Sequence, residues 1–194
     1  MSATENRVTV AEFGSLPTSS PLLVPIPSSG TAQRLHVVAA GYLAELSAAV
    51  KGDLGLEVLI ASGWRPHLWA SWQAYADAMV AQYGSVEQGR LYRAFSSPHE
   101  TGLAVDFGCG GLTPNSKTIT WQKTTALWKW LDNRAHEFGF TPYLVEPWHW
   151  EARISLGAYR SGVADSTTVI SPAPECSLGG VCESHEDDAA GMSI

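Results

Sequence analysis

One stretch constrains this chain more than any other: Ser97-Pro98-His99-Glu100-Thr101-Gly102-Leu103-Ala104-Val105-Asp106. It sets an imidazole and a carboxylate on either side of a turn, among small and apolar neighbours. A buried Asp is costly unless it is paired or holds a metal. A His a short turn away points to the metal. Any fold this chain adopts must bring a third ligand, a base and a wall to this stretch.

The periodicity on either side sets the frame. Thr31 reads as an N-cap for a helix running to about Val50, with Leu35, Val38, Leu43, Leu46 and Val50 as its apolar stripe. Leu56 to Ser62 is β-prone and ends at Gly63-Trp64-Arg65-Pro66. Pro66 keeps Arg65 out of helix, at the strand's end. Helical spacing returns from His67 to Tyr83 and stops at Gly84; a shorter helix is expected over 86–92. Leu103 to Phe107 reads as a short strand, and Thr124 to Glu137 as a helix. Phe140 to Val145 and Trp148 to Ile154 read as extended segments flanking Glu146-Pro147. Strands joined by short turns favour an α+β fold: a small, mainly antiparallel sheet with helices packed on it. Residues 1–30 read as an extended N-terminal arm, 31–160 as the folded domain, and 161–194 as a disordered acidic tail.

Composition excludes several classes. The net charge of −7 and the lack of a basic run exclude nucleic acid as a partner. No apolar run is long enough to span a bilayer, and Met1 to Arg7 lacks the apolar core of a secretory signal. The expectation is a monomer made in the cytoplasm; action elsewhere needs lysis or a non-classical export or injection device. Three cysteines, Cys109, Cys176 and Cys182, make a poor disulfide framework, although the last two are spaced to close a small loop.

The second informative stretch is Glu146-Pro147-Trp148-His149-Trp150-Glu151. Pro147 rules out a helical His-Glu-x-x-His zinc motif. With His99 and Asp106, the inventory becomes two imidazoles and two carboxylates. A catalytic zinc site keeps three protein ligands and one open position. His99, Asp106 and His149 fill the three, and Glu146 is left as a base for the water. Glu151 reads as solvent-facing, with orientation of a ligand as the alternative. His36, His67, His136 and His185 are set aside as ordinary surface or core residues. A rival cluster of Cys176, Cys182 and His185 lacks a fourth ligand.

Ser97-x-His99-x-x-Gly102-x-Ala104-x-Asp106 with Glu146-x-Trp148-His149 resembles the paired zinc motif of the D-alanyl-D-alanine metallopeptidases. These share a fold with lysostaphin-type peptidases and the hedgehog signalling domain. Glu146-Pro147-Trp148-His149-Trp150 and Ser62-Gly63-Trp64-Arg65 are most similar to VanY-like carboxypeptidases and related phage endolysins. The resemblance covers roughly residues 31 to 155. It implies that His99, Asp106 and His149 ligate Zn2+, that Glu146 is the catalytic base, and that Arg65 faces substrate. It also implies Ser97 at the pocket edge; Trp148, beside a ligand, is expected to meet substrate. The implied activity is hydrolysis of peptidoglycan stem peptides at D-amino-acid bonds, as carboxypeptidase or endopeptidase. A non-catalytic zinc module that binds wall fragments or a partner protein is the alternative. Trp64 stands where the family usually has Tyr, and Pro66-His67-Leu68-Trp69 departs from its usual polar segment.

Overall fold

The computed structural model describes residues 7–28, 30–108 and 114–166. Its centre is a four-stranded sheet in the order β3-β4-β6-β5, every neighbouring pair antiparallel. These strands are β3 (Ile60–Ser62), β4 (Ala104–Phe107), β5 (Phe140–Tyr143) and β6 (Glu146–Ala152). A separate ribbon pairs β1 (Leu23–Ile26) with β2 (Gln33–His36), also antiparallel. The fold is α+β, as the sequence reading expects.

The pleat of β4 and β6 divides the molecule. Val105 and Phe107 on β4 alternate with Asp106; Trp150 and Ala152 on β6 alternate with His149 and Glu151. The first set joins the core with Leu43, Leu46 and Val50 of helix α2 (Val37–Leu54) and Trp130 and Leu131 of α6 (Ala126–Arg134). Trp150 is fully buried, and its indole N–H donates to the Pro147 carbonyl. Truncating such a ring to Ala typically costs ~3–5 kcal/mol. The second set faces the other side, against the N-terminal segment and a 3-10 turn at Pro98–Thr101. All four residues of β4 are therefore buried, an unusual pattern for a strand carrying a carboxylate.

Several expected boundaries move, each for a local reason. Residues 33–36 are a strand, and the helix expected from Thr31 starts only at Val37. Its N-cap is His36, whose Nδ1 accepts from the Val38 N–H at 3.3 Å. Leu35, counted in the helical stripe, is core through β2 instead. The helix expected from His67 begins at Trp72, because Ser71 is the residue whose hydroxyl caps Ala74. The expected 124–137 helix is α6 followed by a 3-10 turn, Ala135–Phe138. Glu146 and Pro147 lie within β6, not between two strands. The remaining short helices are α1 (Val10–Phe13), α4 (Val86–Gly89), α5 (Ile119–Gln122) and α7 (Leu156–Ser161); α3 is Trp72–Tyr83. Cys109, Cys176, Cys182 and His185 lie outside the described residues, as does the expected tail from 167 onward. Among the described residues no helix is long and apolar enough to cross a membrane.

Candidate metal centre

His99 is delivered by the 3-10 turn. Ser97 is its N-cap and Pro98 opens it. Ser97 Oγ accepts from the His99 N–H, and the Glu100 carboxylate accepts from the Ser97 N–H at 3.1 Å, completing a capping box. Gly102 ends the turn at φ +73, where a side chain would be strained. The chain then enters β4, and Asp106 pairs directly with His149 across to β6. Cross-strand partners share a face, so carboxylate and imidazole meet without further help.

His149 reaches that face through an irregularity. Pro142 pairs with Trp150, and the next residue, Tyr143, pairs with Glu146. Between those pairs β6 carries Pro147, Trp148 and His149 with no β5 residue opposite. Pro147 has no N–H for the ladder, so a bulge is where it fits.

Three atoms converge. His99 Nε2 is 3.2 Å from Asp106 Oδ1 and 3.2 Å from His149 Nδ1, and His149 Nδ1 is 3.1 Å from Asp106 Oδ1. The outer ring nitrogens fix the tautomers. His99 Nδ1 lies 2.7 Å from the Gly63 carbonyl, and His149 Nε2 lies 3.0 Å from Glu151 Oε1. A carbonyl and a carboxylate only accept, so both outer nitrogens donate. In the neutral rings, each inner nitrogen then presents a lone pair to the shared centre. Ligands around a tetrahedral zinc with bonds of about 2.0–2.1 Å stand about 3.3 Å apart. Spacing and donor set, two imidazoles and a carboxylate, therefore both fit zinc.

The electrostatics follow from burial and pairing. Burial pushes His99 below its ordinary value, against the pull of Asp106. Burial also opposes charge on His149, but its hydrogen bonds with Asp106 and Glu151 outweigh that and push the ring up to about 9. Burial would raise Asp106; the facing His99 and His149 win, and the carboxyl sits well below the usual range. Glu151 is lowered too, since His149, Arg7 and the Val8 N–H outweigh its burial.

The other expected site residues divide. Arg65 stands at the mouth, half exposed, with Nη2 3.8 Å from Asp106 Oδ2, and its N–H donates to the His99 carbonyl at 3.3 Å. Glu146 opens β6, half-buried; among the described residues no hydrogen bond or ion pair ties down its carboxylate, and it does not touch the three convergent atoms. Trp148 is half-buried in the bulge. Ser97 caps the turn that carries His99, and it also lines a cleft of about 280 Å³ with Arg7–Val10, Ser96 and Pro98.

Glu151 corrects the sequence reading. It is 2% exposed, not solvent-facing, and it grips His149. The alternation of β6 carries that signal, since Glu151 is two residues from His149 on one face. Arg7, Glu100 and the Gly63 carbonyl also serve the centre and were not singled out. For Arg7 no local signal exists, because its partner is 144 positions away.

No curated protein sequence matches the chain. Among solved structures, it is similar in fold to the LdcB LD-carboxypeptidase, at 24% identity over 77% of this chain and 82% of that one, with a TM-score of 0.56. It is also similar to the D,D-pentapeptidase VanY of the VanB-type resistance cassette, solved in complex with Zn(II), at 23% identity. That match covers 77% of this chain and 90% of the other, with a TM-score of 0.45. VanYB solved in complex with D-Alanine-D-Alanine matches at 23% identity over 77% and 89%, with a TM-score of 0.46. The family model of the VanY D-alanyl-D-alanine carboxypeptidases matches residues 32–152, a span that holds the 3-10 turn, β4 and β6 entire, and the chain belongs to that family.

Proposed function

We propose that this protein is a zinc-dependent carboxypeptidase that removes a D-amino acid from the end of peptidoglycan stem peptides. The observation that carries the reading is the triangle of His99 Nε2, Asp106 Oδ1 and His149 Nδ1, with both outer nitrogens committed as donors. Membership of the VanY family supplies the substrate class.

Zinc held by these three residues supplies a Lewis acid that polarises a carbonyl and lowers the pKa of water toward ~7. The chain's own residues do the rest. Glu146, whose carboxylate has no hydrogen bond or ion pair to release among the described residues, takes the proton of the attacking water and hands it to the leaving amine. Arg65 presents an always-charged fork of donors at the mouth of the site. It stabilises the oxyanion that forms at the scissile carbonyl or holds the substrate's terminal carboxylate. Trp148 offers a half-buried indole as a wall for the peptide, and Ser97 stands at the pocket edge on the turn that carries His99. In this reading residues 31–160 are the peptidase domain, and the chain works as a monomer at the cell wall, reached after lysis or through an export or injection device.

The test is digestion of purified peptidoglycan and of a free stem pentapeptide, with and without a chelator, read by mass spectrometry. Loss of one terminal D-alanine, abolished by chelator and restored by zinc, is the expected result. Glu146→Gln, folded and zinc-loaded, should slow that loss by about 10²–10⁴-fold. Full activity in that variant removes Glu146 from the mechanism. Cuts within cross-links would make the protein an endopeptidase. Zinc binding without any cleavage would favour a module that binds wall fragments.

A further inference from the structure

The family match begins at residue 32, yet the two histidine-bearing elements are gripped from behind by residues that precede it. Arg7 Nε and Nη2 donate to Glu151 Oε1 at 3.0 and 2.7 Å. The Val8 N–H donates to Glu151 Oε2 at 2.7 Å. His149 Nε2 donates to the same Oε1 that Arg7 holds, so the guanidinium and the imidazole meet on one carboxylate oxygen while Val8 pins the other. The Arg7 guanidinium also lies 3.6 Å over the Tyr143 ring, whose edge packs against the His149 ring at 5.9 Å. Eight residues later the same segment reaches the other histidine. Ser15 Oγ donates to Glu100 Oε2 at 2.8 Å, and the Leu16 N–H donates to the Glu100 carbonyl at 2.9 Å. Glu100 is the residue after His99 and the second half of its capping box.

The segment is anchored between these grips. Val8 is buried in the core, and Tyr159 of α7 donates its hydroxyl to the Gly14 carbonyl at 2.9 Å. It touches β6 at one end and the 3-10 turn at the other, with Phe13 of α1 edge-on to Tyr159 of α7 between them.

We infer that residues 7–16 are a strap that positions both ligand histidines, with Arg7 the main positioning residue acting through Glu151. The inference rests on the metal reading given above. A carboxylate behind a ligand histidine fixes its tautomer and ring plane, and losing such a partner typically costs 10–100-fold in metal affinity. Here the carboxylate is itself oriented by a guanidinium from a distant segment. Without Arg7, Glu151 keeps its burial but loses the charge that holds it in place.

The full chain, stripped of metal, would be titrated with zinc against a chelator of known affinity. Arg7→Met should weaken zinc binding by about 10–100-fold, and Arg7→Lys, which keeps the charge but not the fork, should recover part of the loss. Lys51→Met breaks an exposed ion pair with Glu57, outside the strap, so it should bind zinc as the wild type does. In the Arg7→Met protein the visible absorption of bound cobalt(II) should shift, because the His149 ring is no longer fixed. A folded Arg7→Met protein with zinc affinity within about twofold of wild type overturns the strap. So does an equal loss in Lys51→Met, which would reduce the effect to general destabilisation of the fold. Where Arg7→Met does not fold, Arg7→Lys decides: wild-type affinity and an unchanged cobalt spectrum overturn the inference. A wild-type chain that binds no zinc removes the metal reading and the strap together.

Discussion

Asp106 is the residue on which the centre turns, because it faces two imidazoles and one guanidinium at once. Asp106→Asn keeps its shape and removes its charge. Zinc affinity should fall by more than the 10–100-fold typical of an outer partner, measured by competition with a chelator. Arg65 differs in kind. It is half exposed and 3.8 Å from Asp106, so its ion pair adds at most about 1 kcal/mol to stability. Arg65→Met should therefore melt near the wild-type temperature while turnover drops about 10²–10³-fold. Equal turnover on a stem peptide would show that Arg65 has no part in the reaction. His99, Asp106 and His149 were legible in the sequence because their chemistry is carried by residue type and short spacing. Glu151 was misread as solvent-facing because its burial comes from a segment far away in the chain.

Elements place these residues, and Gly102 joins two of them. It ends the 3-10 turn with φ at +73 and its N–H on the His99 carbonyl at 3.1 Å. A Cβ there would lie 2.9 Å from the His36 backbone nitrogen and 3.0 Å from Leu23 Cδ2. Gly55, the C-cap of α2, has a similar φ of +68 but open space around it. The two positions separate backbone strain from collision. Gly55→Ala should cost only about 1 kcal/mol in urea unfolding and leave zinc affinity untouched. Gly102→Ala should cost about 1–3 kcal/mol more, since β2 must shift, and should weaken zinc binding as His99 moves. The turn at Gly102 was legible; the ribbon it presses on was not. Residues 33–36 carry too few β-prone side chains to outweigh the helical stripe that follows. Their strand exists because Leu23–Ile26 pairs with them. The bulge at Pro147–His149 was likewise hidden, because it depends on the register with β5.

At the scale of the whole molecule, the sheet is covered on both sides: α2 and α6 on the core face, and on the metal face the 3-10 turn together with the Arg7 and Val8 grip on Glu151. Strands joined by short turns foretold the first covering, helices packed on the sheet. The second depends on contacts across most of the chain's length, which periodicity does not record. His36 ties the coverings together. It ends β2, caps α2 through Nδ1, donates from Nε2 to the Tyr159 carbonyl of α7 at 2.9 Å, and stacks on the Tyr159 ring at 4.8 Å. Both bonds are met by the neutral ring, one nitrogen accepting and the other donating. Burial pushes its pKa below the ordinary 6.5, outweighing the hydrogen bond to Tyr159. The unfolded chain therefore takes up this proton more readily than the folded one. Its contribution is complete above about pH 6.5 and is lost as the pH falls from that value toward the lower folded one. Other titrating groups, His99 and His149 among them, are present in every variant, so the informative quantity is a difference. His36→Gln should be less stable than wild type at pH 8 in urea unfolding, because the cap and the bond to α7 are weakened. The gap should narrow as the pH is lowered through 6 toward 5, since only the wild type loses stability by protonating this ring. A gap that stays constant across that range would show that the ring at position 36 holds α2 and α7 together equally well with or without its proton.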